Sequence, residues 1–373
     1  MSKNQDNPRT KRSKAKETAL SRRRFFATVG VGVGATATLS APAVAQGRRR
    51  WTMVTSWPRG SAGPGSSADR IASMITAMSG GRLEVLVRGS GELVSAFGVL
   101  DAVADGVAEL GHTASFYWSG SEPAAAFFTT IPFGLTAVDH NAWVRFGGGQ
   151  QLWERTYGDY GVLPRLAGNS GMTMAGWSRR AITGLEGLKG LKIRLSGLGA
   201  EVYARLGAIP ISLPPSEIVL ALSTGAIDAA EFLGPWSDSA NGFQRVADYY
   251  YFPGFNKPNG TAEGLVNAAA YHGLPEDLQA IVDAAFAAEN DFGLAEAKWF
   301  NANSLSMLDM EGTRLEAMPQ SIMDEAERVT IDVLNDRAAS DSFVSEVLAS
   351  YRDASTRLGR WTSISEGIYN GRG

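Results

Sequence analysis

The stretch from Lys189 to Trp236 limits what this chain can fold into more than any other part of it. Residues 191–195 and 209–213 are short apolar runs of strand character, and residues 197–206 between them carry apolar side chains at helical spacing. A second helix is expected over 215–224, and Gly225 leads from it into a third strand at 227–232. Strand, helix, strand, helix, strand in that order makes two right-handed crossovers and therefore a parallel sheet. In open parallel sheets ligands sit beyond the carboxyl ends of the strands. Arg194 and Glu231 both fall at such ends, so a guanidinium and a carboxylate are expected to face one cleft.

The upstream half repeats the alternation. A strand at 51–57 ends in a Pro/Gly-rich loop from Pro58, a helix over 67–78 is closed by Gly80-Gly81, and a strand at 83–88 follows. A helix over 93–104 and a strand over 109–118 complete a second α/β unit, so two lobes are expected. Between them, Phe127, Phe128 and Phe133 read as core, and one helix is expected over 140–157. Strands at 162–167 and 172–177 flank Asn169-Ser170-Gly171, where the chain passes between lobes and a hinge is expected. A strand at 265–270 precedes a single helix over 275–310, roughly 50 Å long and so laid across both lobes. After a strand at 313–317, amphipathic helices over 320–334 and 341–358 have no local cover for their apolar faces, which points to a partner subunit. The resulting division is lobe I at 46–171 plus 260–299, lobe II at 172–259 plus 300–327, and a C-terminal helical dimerisation segment at 328–373.

Charge is distributed unevenly. Residues 1–45 hold nine of the 35 Lys and Arg but two of the 38 Asp and Glu, leaving 26 basic against 36 acidic residues beyond. An excess of that sign excludes nucleic acid and anionic membrane surfaces as partners. Ser21-Arg22-Arg23-Arg24-Phe25-Phe26, a Gly/Ala/Thr-rich apolar run to Leu39, and Ala43-Val44-Ala45 together read as a twin-arginine export signal spanning 1–45. A periplasmic protein beginning near Gln46 is expected. It contains no cysteine, which excludes disulfides, thiolate metal sites and iron–sulfur clusters.

Catalytic groups are sparse. His112, His140 and His272 lie far apart in apolar contexts and read as structural residues, and there is no Gly-x-Ser-x-Gly, Walker or His-Glu-x-x-His motif. An arginine, a few carboxylates and aromatics in a cleft suit small-anion binding better than catalysis.

Lys189-Gly-Leu-Lys-Ile-Arg194, Leu206-Gly-Ala-Ile-Pro210 and Leu222-Ser-Thr-Gly-Ala-Ile-Asp228 resemble the signature of the substrate-binding subunits of tripartite ATP-independent periplasmic (TRAP) transporters. The resemblance extends through Phe127 to Leu135, Glu231 to Pro235, Tyr249 to Gly254 and Trp361 to Tyr369, and is greatest to the subfamily binding 2-oxo acids and lactate. It implies a two-lobed, periplasmic-binding-protein-like α/β fold with a hinge, and a receptor that delivers a small carboxylate to membrane permease subunits. A 2-oxo or 2-hydroxy monocarboxylate is favoured; the alternatives are a same-fold receptor for another carboxylate feeding a sensor, or an exported enzyme. It further implies a homodimer through the C-terminal helices.

The resemblance assigns the carboxylate to Arg194, whose planar fork matches it bidentately, and places Tyr117 beside the ligand; a surface arginine and a core tyrosine are the rival readings. Asn169, Thr173, Glu231, Phe232 and Lys257 complete the candidate ligand-binding set. Related receptors hold sodium or calcium between protein and ligand, through a Gln, a Glu-Trp pair and a Trp-His-Glu-Pro run. This chain has Thr173, Glu231-Phe232 and Phe255-Asn256-Lys257-Pro258 there. Glu231 and the Phe232 carbonyl are therefore provisional metal ligands. Either Lys257 replaces the cation, or it points to solvent and Glu263 or water completes a metal site.

Overall fold

The computed structural model describes residues 47–370, so the proposed export signal lies outside the described residues. Among these residues the chain first lays down β1 (Arg49–Thr55), the helix Pro64–Met78, β2 (Leu83–Arg88), β3 (Leu110–Thr113) and β4 (Val162–Asn169). It then forms β5 (Gly176–Ser178), β6 (Lys192–Arg194), β7 (Ile209–Ile211), β8 (Ala229–Ala230) and β9 (Tyr249–Phe252). β10 (Thr261–Asn267), the helix Glu276–Met310 and β11 (Arg314–Ala317) follow. One sheet has the order β2-β1-β3-β10-β4 and the other β11-β9-β5-β8-β6-β7. These sheets are the centres of two α/β lobes.

The expected crossovers are present: β6 pairs in parallel with β7 on one side and β8 on the other. In the first lobe β1 pairs in parallel with both β2 and β3, while β10 runs antiparallel between β3 and β4. The chain crosses from one sheet to the other between β4 and β5 and returns between β9 and β10. At that crossing a Cβ on Gly254 would lie 2.1 Å from the Thr173 carbonyl oxygen, so the two connecting segments run side by side only because this residue has no side chain.

The 35-residue helix Glu276–Met310 bridges the lobes as its length predicts. Towards its middle Glu289 pairs with Arg70 of the first lobe at 2.7 Å, and nearer its end Asn301 accepts from the Trp236 amide of the second at 3.0 Å. No helix among the described residues is long and apolar enough to cross a membrane.

Several expected elements differ. The helix expected over 93–104 is confined to Val99–Ala104, since Gly98 sits at its start. The strand expected to run to Trp118 ends at Thr113, and Ser115–Trp118 turns as a 3₁₀ helix that carries Tyr117 inward. The helix expected over 140–157 is two, Ala137–Phe146 and Gly149–Thr156, broken where Gly148 takes φ 88°. The strand at 172–177 begins only at Gly176, and that at 265–270 lies earlier, at Thr261–Asn267. The C-terminal helices, Gln320–Ser340 and Ser342–Ile364, do find cover in their own chain. Ile322, Val329, Val333, Val344, Val347 and Tyr351 join one apolar core that also contains Phe128, Trp143 and Trp153 of the first lobe and Leu191 and Val202 of the second. Phe128 is stacked between Trp143 and Trp153, the packing role expected of it.

Candidate functional site

Parallel register builds the site. Arg194 ends β6 opposite Ala230 of β8, so the next residue, Glu231, stands beside it, its amide donating to the Arg194 carbonyl at 3.0 Å. Arg194 is 1% exposed. Its Nε donates to the Leu213 carbonyl at 3.1 Å, Nη1 to the Glu231 carbonyl at 2.8 Å, and Nη2 approaches the Tyr117 hydroxyl at 3.5 Å. A guanidinium carries five N–H donors, so two remain for a ligand while backbone carbonyls hold the plane still.

Tyr117 comes from the other lobe, packed edge-on to Phe116 and against Phe97 and Trp57. Burial raises its pKa, so the hydroxyl keeps its proton and can donate it. Trp57 is itself fixed by a 2.8 Å bond from its indole N–H to His112 Nδ1, and the other ring nitrogen of His112 bonds the Ala167 carbonyl at 2.9 Å. Burial lowers His112 and His140 to about 4, which keeps both neutral. His272 is exposed. His112 and His140 are thus the structural residues their contexts suggest, whereas His272 lies at the surface and not in the apolar setting expected of it.

Lys257 enters from the connection between β9 and β10. Its Nζ lies 2.5 Å from Glu231 Oε1, and it donates to the Phe232 carbonyl. Glu231 Oε2 is 4.0 Å from Arg194 Nη1, so the carboxylate stands between two cations. Burial lowers the Lys257 pKa, and Glu231 counters the fall.

Arg194, Tyr117, Phe232 and Lys257 line one chamber between the lobes, together with Trp57, Phe116, Thr129, Leu233 and Thr261. Its empty space, open mouth included, is about 360 Å³. The lobes meet around it: Ser237 donates to the Ala62 carbonyl at 3.1 Å, and the Phe133 amide to that of Phe255 at 2.8 Å.

Three candidate residues do not line the chamber: Glu231 stands behind it, against Arg194 and Lys257, and Thr173 and Asn169 lie farther off. Thr173 bonds the Lys257 carbonyl through its hydroxyl at 3.0 Å, and so holds the lysine's backbone. Asn169 donates to Thr261 Oγ1 at 3.0 Å, accepts from the Gly171 amide, and lines a neighbouring cavity under the long helix. Glu263 is also elsewhere: it is wholly buried in the first lobe, accepting from the indoles of Trp118 and Trp153 at 3.1 and 3.0 Å. It completes no metal site with Glu231. The walls at Trp57, Phe116, Thr129 and Leu233 were not marked out in the sequence, because apolar residues near a cleft read like any others of a core; Trp57, at the mouth of a Pro/Gly loop after a strand, was the most visible.

Residues 55–339 match the model of the bacterial extracellular solute-binding protein, family 7 (DctP). The chain belongs to that family. This DctP protein is 38% identical over 320 residues to a monocarboxylate 2-oxoacid-binding periplasmic protein of Nostoc, covering 86% of this chain and 88% of the relative. It is similar to a TRAP periplasmic solute-binding protein of Pseudoalteromonas atlantica with bound sodium and pyruvate, at 34% identity and a TM-score of 0.84, over 87% of this chain and 99% of that one. A Bordetella bronchiseptica TRAP solute-binding protein, a dimer with calcium and picolinate, matches at 31% identity and 0.86 over 87% and 97%. A DctP protein is a substrate receptor and not an enzyme, so the chamber of this one serves binding.

Proposed function

We propose that this TRAP receptor captures a 2-oxo or 2-hydroxy monocarboxylate in the periplasm, after export by its twin-arginine segment, and passes it to membrane permease subunits. The observation that carries the ligand class is the charge balance of the chamber. Arg194 and Lys257 stand against the carboxylate of Glu231, an excess of a single positive charge among these three buried groups. A buried charge needs a partner, and a monoanion neutralises this excess where a dianion overshoots it. In the proposed complex the carboxylate takes the free edge of Arg194 and the Tyr117 proton. The ligand's second oxygen accepts from Lys257, and the small apolar walls meet its short alkyl end. The names of the relatives in Nostoc and Pseudoalteromonas agree with this class.

A homodimer belongs to the same reading. Trp361, Ile364, Ile368 and Tyr369 are exposed at the C-terminal end, apolar surface of the kind a second copy covers. Calorimetric titration with pyruvate, lactate and succinate tests the ligand class. Pyruvate or lactate is expected to bind and to be recovered unchanged; binding of succinate alone would overturn the assignment.

A further inference from the structure

The Glu231 carboxylate and the Phe232 carbonyl converge on one point beside the chamber, and both are oxygen types that sodium and calcium prefer. The Lys257 ammonium holds that point, in contact with both oxygens. Its backbone is tied down on each side: the Thr173 amide and hydroxyl donate to its carbonyl at 3.3 and 3.0 Å, and its own amide donates to Gly254 at 3.0 Å. The residue is 5% exposed.

These residues do not fit the sodium or calcium found in the relatives. A metal ion at Glu231 would adjoin a fixed ammonium in a mostly buried place that screens the repulsion poorly. Calcium also takes about six to eight oxygen ligands. Among the described residues no group of three or more His, Cys, Asp or Glu is placed to hold a metal, and Glu263 is spent on two indoles.

Given a monocarboxylate ligand, on which this inference rests, we propose that Lys257 is a built-in cation: its ammonium takes the position of the metal ion, and this receptor captures its ligand without sodium or calcium. The lysine keeps one positive charge at that point and offers its remaining N–H to the ligand. Because the charge is covalently attached, occupancy of the site does not depend on the cation content of the medium.

The test compares the purified protein with its K257Q and K257E variants after dialysis against a chelator. Metal content, melting temperature with added calcium or sodium, and calorimetric titration with pyruvate in each medium are measured. The unsubstituted protein is expected to retain no metal, to melt at the same temperature in every medium, and to bind pyruvate with a Kd constant within about twofold. K257Q, neutral and of similar length, is expected to lose tenfold or more in affinity, roughly one hydrogen-bonded charge, with no rescue by metal. K257E, which sets a second carboxylate beside Glu231, is expected to gain a calcium-dependent rise in melting temperature and calcium-dependent pyruvate binding. One metal ion retained by the unsubstituted chain, or an affinity that collapses in chelator and returns with calcium, would overturn the proposal. If pyruvate binds in no medium the ligand class is wrong, while metal content and melting still decide the role of the lysine. Should K257E not fold, the unsubstituted protein and K257Q suffice.

Discussion

Arg194 is a buried cation whose neighbours leave part of its fork open, and its substitution is the most direct probe of the chamber. R194K keeps the charge but not the planar pair of donors, and is expected to weaken ligand binding by about a hundredfold, within the 2–5 kcal/mol measured for buried charge pairs at interfaces. Calorimetry reads the loss, and a melting curve close to that of the parent separates it from misfolding. Glu263 makes a different prediction. Burial raises its carboxyl to about 7 from an ordinary 4.5, so the folded protein holds a proton that the unfolded chain has released between those values. Stability from this group therefore rises as pH falls through that window, and is lost as pH rises through 7. Glutamine has no such proton. The stability of the parent relative to E263Q is expected to rise by roughly 3 kcal/mol from about pH 8 to about pH 4.5, at about 1.4 kcal/mol per pKa unit. His112 and His140 titrate in both proteins and cancel in the difference. Denaturant unfolding at the two ends checks it; an unchanged gap would mean that the two indole donors keep Glu263 ionised.

At the scale of elements, the helix Gly197–Arg205 starts where the lobes touch. Gly197 has φ 66°, and a Cβ there would lie 2.9 Å from Phe116 Cβ of the other lobe. G197A thus strains both the left-handed backbone and the closed contact. Ligand affinity is expected to fall by about tenfold, equivalent to roughly 1.4 kcal/mol, and the ligand-induced decrease in radius seen by solution scattering is expected to shrink. An unchanged affinity would remove this contact from the closing surface. The elements that were legible in the sequence are those with strong local signals, such as the crossovers around Arg194 and the long helix started by Pro275. Those that shifted, such as the broken helix at Gly148 and the turn carrying Tyr117, depend on how aromatic side chains pack from elsewhere in the chain.

For the molecule as a whole, the C-terminal helices are part of the core. A chain ending at Met318 loses Ile322, Val329, Val333, Val344, Val347, Leu348 and Tyr351 from that core. At about 1.5–3 kcal/mol for each large apolar side chain the loss reaches the whole stability of an ordinary domain. Such a truncation is expected to unfold rather than to yield monomers, and circular dichroism would show it. A folded monomer would mean that these helices stand apart from the core.

The sequence by itself determined the family, the two α/β lobes, the parallel crossovers and the arginine at a strand end, because these follow from local periodicity and from motifs that are contiguous in the chain. It also marked Lys257 as the residue out of pattern. Only the tertiary structure decided where that lysine goes. Glu231, Phe232 and Lys257 lie on two separate connections, and their meeting depends on strand register and on a glycine that lets two segments touch. It was likewise packing that took Asn169, Thr173 and Glu263 out of the chamber and set Trp57 and Thr129 in its wall. Side-chain direction at a turn is fixed by neighbours distant in sequence, and no local pattern records it.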